Sequence, residues 1–517
     1  MSAIDRRELL IRTGQVALAG TAIGALAGCG SDGGSASTAA STAAAPPKPT
    51  TTTPAKPAKP NVAELRKLVK GTVFTKTTPG FTKARTIYNS AYADVVPLAV
   101  VRVASVADVQ ATVKWAAEYG VPITARSGGH SYGGYSSVEK GVVVDVRRLN
   151  GIQLGNGTAK IGAGANLWEV YSTLANKGVS TPGGSCPTVG FAGLAQGGGM
   201  GLASRKHGLT IDAVQGANLV TADGATASAT SGGDEDLYWA LRGGGGGNFG
   251  IATSFTVKTF PVDQAAYAFI SWPWSAAGEV LAAWQDFAPN APDELTTICS
   301  LLTTTGDSPQ VTVIGQYFGS ESGLNQALAP LLKAAPGGQV STGTADYLDL
   351  IQRWAGCLGK SAAECAAYAP TAFAAKSSYV TSPFTQKGTA AAVSALEARQ
   401  GQPGSGSLIF DSYGGAISRV APTATAFAHR DVVCCIQYLA YYPPGAADTA
   451  NGWLKTTRAA LDPYVSQQAY QNYIDPKLEN YQAAYYAQNL PRLRTIKAKY
   501  DPNDLFRFPK GIVPAKS

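Results

Sequence analysis

A histidine in one glycine loop and a cysteine in another are the residues of this chain best suited to covalent chemistry. The first loop reads Arg126-Ser127-Gly128-Gly129-His130-Ser131-Tyr132-Gly133-Gly134, and the second Gly184-Ser185-Cys186-Pro187-Thr188-Val189-Gly190. Glycines let backbone N–H groups come close to an anionic group such as a pyrophosphate. Imidazole and thiol are nucleophiles able to attack an electrophilic ring. The pair therefore fits a flavin tethered through two covalent bonds, and with it redox chemistry whose cofactor never leaves.

More glycine follows. Gly193-Leu194-Ala195-Gln196-Gly197-Gly198-Gly199-Met200-Gly201 continues the second loop, and Gly243 to Gly247 run into Asn248-Phe249-Gly250-Ile251. Glycine-dense loops in such number exceed what turns need and suggest backbone wrapped around an extended ligand. Gly162-Ala163-Gly164 is not a dinucleotide fingerprint, because Leu167 stands where the third glycine belongs and no acidic partner follows. With three histidines in the chain and no Cys/His ligand spacing, a metal site is not expected.

These loops need elements to hold them. Pro97 to Val103 reads as a strand; Ser105 then caps a helix with Val106, Val109, Val113 and Ala116 on one face and Gly120 at its end. Val121 to Ala125 reads as a strand leading into the His130 loop, with further strands at Gly141–Val146, Thr158–Ala163 and Leu219–Ala222. Beyond Val262 the texture changes. Val311–Gly315, Leu408–Asp411 and Val432–Tyr441 suggest a sheet, with a helix over Ala390–Arg399 between them. The fold class expected is α+β: a flavin domain over 61–262, a substrate domain with a helix-backed antiparallel sheet over 263–467, and a segment 468–517 returning to the first domain.

Of 517 residues, 45% are hydrophobic and 15% charged, enough for a large core. The net charge of +8 is partly local, in Arg6, Arg7 and Arg12 and in Lys48, Lys56 and Lys59, and no basic run sits among aromatics, so nucleic acid is not an expected partner. Arg6-Arg7 before the weakly apolar run Val16–Ala27 reads as a twin-arginine export signal over 1–29. Leu26-Ala27-Gly28-Cys29 resembles a lipobox, making a lipid on Cys29 the expected membrane attachment. Residues 30–60 are Ser, Thr, Ala, Pro and Lys in low-complexity order, a flexible tether. Setting Cys29 and Cys186 aside, five of the seven cysteines remain; Cys357 and Cys365 are close enough to pair, though sequence leaves connectivity open.

The ordered motifs resemble the berberine-bridge-enzyme-like flavoprotein oxidases, within the vanillyl-alcohol-oxidase/PCMH group. The resemblance runs from about Pro97 to the C-terminus. It includes Asn472-Tyr473-Ile474-Asp475, Tyr485 to Leu493, and Lys499-Tyr500-Asp501-Pro502-Asn503-Asp504-Leu505-Phe506. It implies a PCMH-type FAD domain with FAD linked bicovalently through His130 to the 8α-methyl and Cys186 to C6. The cofactor positions carried over with them are Arg126, Ser127, Gly128, Gly129, Ser131, Gly133, Val189, Gly190, Gly193, Gly197, Gly198, Gly201, Leu202, Gly250, Ile251, Tyr486 and Asn489. Tyr473 matches the base of the sugar-oxidising branch and Asp411 its proton acceptor; an unassisted phenol, with a pKa of about 10, is too weak a base. Tyr132 is expected on the substrate side of the ring. Gln437 stands on a strand where other branches carry polar or acidic groups, and the alkaloid branch's acidic base is absent. Val189 matches the position where valine leaves room for dioxygen.

The function implied is oxidation of an alcohol, best the anomeric hydroxyl of a sugar or oligosaccharide, with O2 reduced to H2O2. Oxidative tailoring of a secondary metabolite or aromatic alcohol is the enzymatic alternative. A non-catalytic flavin-binding surface lipoprotein is the alternative from another class.

Overall fold

The computed structural model describes residues 59–516; Arg6, Arg7, Cys29 and nearly all of the low-complexity tether lie outside the described residues. Within it, runs of β-branched residues form short strands, the two central ones, Ala99–Arg102 and Val142–Asp145, buried on both faces as parallel strands require. β1 (Thr72–Phe74), β2 (Ala99–Arg102), β3 (Ile123–Arg126) and β4 (Val142–Asp145) pair in the order β1-β2-β4-β3, with β4 parallel to both β2 and β3. The Val106–Tyr119 helix makes the crossover from β2 to β3. Its N-terminus is capped by Ser105 Oγ, which accepts the Asp108 N–H, and its C-terminus by Gly120 at φ 62°.

β5 (Ile152–Leu154), β6 (Thr158–Gly162), β7 (Val179–Ser180), β8 (Val214–Val220), β9 (Thr226–Thr230), β10 (Ile251–Lys258) and β11 (Phe260–Pro261) follow. Five of them form an antiparallel sheet, β5-β6-β10-β8-β9, while β7 pairs with β11. The expected strand Leu219–Ala222 is displaced: β8 ends at Val220, because Thr221 Oγ1 bonds Asp223 and Gly224 takes φ 74° to turn the chain.

The third sheet is built from β12 (Gln264–Trp272), β13 (Leu295–Thr304), β14 (Gln310–Tyr317), β15 (Gln339–Asp346), β16 (Phe373–Val380), β17 (Ser405–Ser412) and β18 (Cys434–Tyr441). Its order is β15-β12-β14-β13-β17-β18-β16, antiparallel throughout. One face packs Ile270, Leu301, Val313, Phe410 and Ile436 against Leu281, Trp284, Leu328, Leu396 and Trp453 of four covering helices, Ala277–Phe287, Glu321–Ala334, Gln386–Glu397 and Ala447–Leu461. The third of these begins at Gln386 rather than Ala390, since Gly388 fits tightly against Phe384 and Tyr464 instead of breaking the helix. Strand alternation puts Ile409, Asp411, Cys435 and Gln437 on the opposite face.

The C-terminal segment packs Tyr485, Tyr486, Leu493 and Ile496 into the core of the first domain. There the unexposed Lys497 ammonium donates to the carbonyls of Asn248 (2.9 Å) and Phe506 (2.8 Å) and pairs with Asp501 (2.6 Å). Ile512 N–H adds a bond to Asn248 Oδ1 at 2.8 Å, so the end of the chain holds the third glycine loop. Arg205 joins the two cores, its guanidinium donating to the carbonyls of Leu295, Ala291 and Tyr413.

Candidate active site

Both nucleophile loops leave rigid elements and then lie against each other. The first starts directly from β3, and Ser127 Oγ donates to Ala163 O at 2.6 Å. A Cβ on Gly128 would stand 2.2 Å from Gly190 N and 2.7 Å from Thr188 O, so only two bare backbones can meet there. The second loop is held by the N-terminus of the Leu167–Ala175 helix. Leu167 N–H bonds Val189 O and Trp168 N–H bonds Pro187 O, both at 2.9 Å. Asn166 and Glu169 close that helix with a reciprocal capping box.

This packing brings the two nucleophile-bearing loops into direct contact. His130 Nε2 and Thr188 Oγ1 share a 2.9 Å hydrogen bond, and the imidazole stacks on Tyr88 at 4.0 Å and 18°. Burial pushes the imidazole pKa down to about 3, so His130 is neutral and keeps a nucleophilic lone pair. Cys186 is exposed, yet the protein around it is close enough for desolvation to push its thiol up, against a hydrogen bond from Ser185.

The remaining glycines fit an extended phosphate-bearing ligand such as FAD. Gly193 and Gly247 face open space, and a Cβ on Gly246 would lie 3.7 Å from Gly193 Cα, so the second and third loops border one strip of side-chain-free backbone. Gly197 and Gly198 leave room for Asn472 and the Tyr470 ring, Gly201 for the Gly183 carbonyl, and Gly133 for Tyr135. Ser131 Oγ accepts the Tyr135 N–H. Other predicted positions serve from behind. Arg126 is buried on Asp145 and the Ala84 carbonyl. Leu202 packs with Tyr267 and Trp354, and Ile251 lies in the core after Gly250 at φ 151°. Tyr486 bonds Gly244 O, and Asn489 gathers the carbonyls of Pro422, Thr425 and Ala426.

Tyr473, Asp411, Tyr132 and Gln437 meet as one cluster although they come from four separate stretches of chain. The Tyr473 hydroxyl donates to Asp411 Oδ2 at 3.5 Å. Tyr132 stacks on Tyr473 at 5.4 Å and 18°, and Gln437 Nε2 donates to the Tyr132 hydroxyl at 2.7 Å. Burial raises the Asp411 carboxyl to about 7, the Tyr473 hydrogen bond opposing it. Tyr473 itself is held well above 10, by burial first and then by the Asp411 charge. Gln471, on the same turn as Tyr473, donates to the Gly243 and Gly197 carbonyls, tying this cluster to the cofactor loops.

Thr188 and Tyr88, both touching His130, were not among the predicted residues. Thr188 lies inside the Cys186 motif, where its hydroxyl was a visible signal; Tyr88 lies in a non-repetitive segment that gives none.

The fold and these loops define an FAD-binding oxidoreductase. Residues 97–230 match the family described as an FAD binding domain, and 469–513 match the one described as berberine and berberine like. An uncharacterized FAD-linked oxidoreductase, YgaK of Bacillus subtilis, is 33% identical over 456 residues, 86% of this chain and 97% of that protein. The chitooligosaccharide oxidase of Gibberella zeae is 33% identical over 439 residues, 81% of this chain and 87% of that protein. The solved xylooligosaccharide oxidase from Myceliophthora thermophila C1 in complex with xylobiose superposes with a TM-score of 0.80 at 28% identity, covering 88% of this chain and 100% of that one. The chain belongs to the berberine-bridge-enzyme-like family of FAD-linked oxidases. It is an FAD-dependent oxidase.

Proposed function

We propose that this oxidase converts the anomeric hydroxyl of a sugar or oligosaccharide to a lactone, reducing O2 to H2O2, with its FAD fixed through His130 and Cys186. The observation that carries the reading is the contiguous set Gln437–Tyr132–Tyr473–Asp411 beside the nucleophile loops. Bound FAD supplies a two-electron acceptor for the hydride of the substrate C–H bond. Tyr473 receives the hydroxyl proton only because its own proton has somewhere to go. With the Asp411 carboxyl at about 7, the carboxylate form takes that proton near neutral pH without being a permanent buried charge. Tyr132 and Gln437 form one wall, whose rings and amide suit an uncharged polyol. Val189, half-buried beside Cys186, leaves only a small side chain where O2 would approach. The names of the chitooligosaccharide and xylooligosaccharide oxidases support the substrate class.

The test is anaerobic bleaching of the flavin band by mono- and oligosaccharides, followed by air. Bleaching by a sugar and return of colour in air supports the reading. Absence of bleaching by every sugar, with fast reoxidation after chemical reduction, overturns the substrate and leaves an oxidase of another alcohol. The reading also places the enzyme outside the cytoplasmic membrane, exported by the twin-arginine machinery and tethered through a lipid on Cys29, on the strength of Arg6-Arg7 and Leu26-Ala27-Gly28-Cys29. Cys29→Ser releasing the enzyme from the membrane fraction supports this; unchanged fractionation overturns it.

A further inference from the structure

The segment between the Tyr347–Trp354 helix and β16 is largely exposed, yet it carries the disulfide Cys357–Cys365, both of whose cysteines are buried. They pack on Trp168. Trp168 belongs to the helix N-terminus that holds Pro187 and Val189, the two ends of the turn beyond Cys186. Shortly after Cys365, Tyr368 turns inward. Its hydroxyl donates to Gly129 O at 3.3 Å, and its ring stands edge-on to His130 at 5.8 Å and to Tyr88 at 5.9 Å. Gly129 O also accepts the Tyr88 N–H at 3.0 Å, and Gly129 sits at φ 76°, where a β-carbon would press on the Tyr368 hydroxyl.

We infer that the Cys357–Cys365 bridge and Tyr368 are a positioning device for the flavin-linking loops, acting on Cys186 through Trp168 and on His130 through Tyr368. The inference rests on the two-bond attachment read above. Its physical basis is local stability. An exposed excursion with few buried side chains opens readily, and a cross-link spanning a sequence separation of 8 restricts that opening. Without the bridge, Trp168 loses part of its packing, and Tyr368 leaves the edge of the imidazole. The loops remain, but their spacing is no longer imposed from outside the flavin domain.

The test uses the full chain purified with its flavin and has two readouts: the masses of flavin-bearing peptides, and hydrogen exchange of 127–134 and 186–190. Cys357→Ser/Cys365→Ser is expected to accumulate singly linked flavin and to exchange about tenfold faster in both loops. Tyr368→Phe keeps the bridge and is expected to lower only the His130 linkage and protection, a split that general destabilisation would not give. Full double linkage and unchanged exchange in the serine pair overturn the inference, as does an equal loss of both linkages in Tyr368→Phe. A wild-type protein with fewer than two bonds refutes the attachment reading instead, and exchange then decides alone: faster loops in the serine pair sustain the positioning role, unchanged loops end it.

Discussion

The two halves of the site are held in opposite ways. At Gly128 and Gly190, backbone packs on backbone with no space for a methyl group, and the His130–Thr188 bond crosses directly between loops. At Tyr473 and Asp411, a side chain from β17 meets one from a short turn far along the chain, and the phenol reaches the carboxylate only at 3.5 Å. The first arrangement suits a permanent attachment. The second has slack that a substrate hydroxyl can take up, as catalytic hydrogen bonds tighten when substrate binds. On the proposed function, rigidity is placed where the cofactor would be fixed, and tolerance where the substrate would enter and leave.

The sharpest way to break this contrast is at the rigid half. Gly190→Ala places a β-carbon 2.1 Å from Gly128 N, which neither backbone can yield without parting the loops. The expected outcome is loss of bound flavin, seen as missing fluorescence in denaturing gels. Retention of full flavin would show the loops to be pliant. Tyr473→Phe acts on the looser half: flavin content stays, while flavin reduction slows by roughly 10²–10⁴-fold in anaerobic stopped flow. A rate like the wild type's moves the base elsewhere.

Asp411 separates the halves by pH. Its carboxyl is neutral below about 7, so the wild-type reduction rate is expected to rise with pH through that value. Asp411→Asn should flatten the profile and leave the rate about tenfold lower at pH 8. Stability runs the other way. A folded carboxyl raised from 3.8 to about 7 contributes stability below pH 4 that is lost as pH rises towards 7. The Asn variant should therefore gain thermal stability over wild type across that window, measured as a pH series of melting temperatures. Gln437→Leu is the smallest change, removing one donor to Tyr132 at a cost of about 0.5–1.5 kcal/mol, read as a severalfold rise in KM.

Much of the frame was legible because local chemistry and burial agreed. The run Val142-Val143-Val144 is a fully buried parallel strand, and Ser105 and Gly120 mark both ends of the crossover helix. Tyr473, Asp411, Tyr132 and Gln437 were legible one by one through motif and resemblance; their contact was not, since it depends on the register of β17 and β18 and on the turn at Gln471–Tyr473. Tyr88 and Tyr368 were illegible altogether. They lie in irregular segments, and the hydrogen bonds that both make to Gly129 O, together with their ring contacts, give them a place beside His130. The start of the helix expected at Ala390 lies at Gln386, and the missing side chain of Gly388 is what lets that first turn approach Phe384 and Tyr464.

A ribosome that has just passed Gly250 has made every one of these glycine loops, and the Gln196 carbonyl that accepts from the last one, but not all of the groups that hold it. The Lys497 ammonium on Asn248 O, and the Ile512 amide on Asn248 Oδ1, are made only 249 and 264 residues after Asn248. The third glycine loop is therefore fully fastened only once both of these segments have been synthesised. A stop codon placed before Lys497 yields a chain with His130 and Cys186 intact and the Asn248 loop short of two of its fastenings.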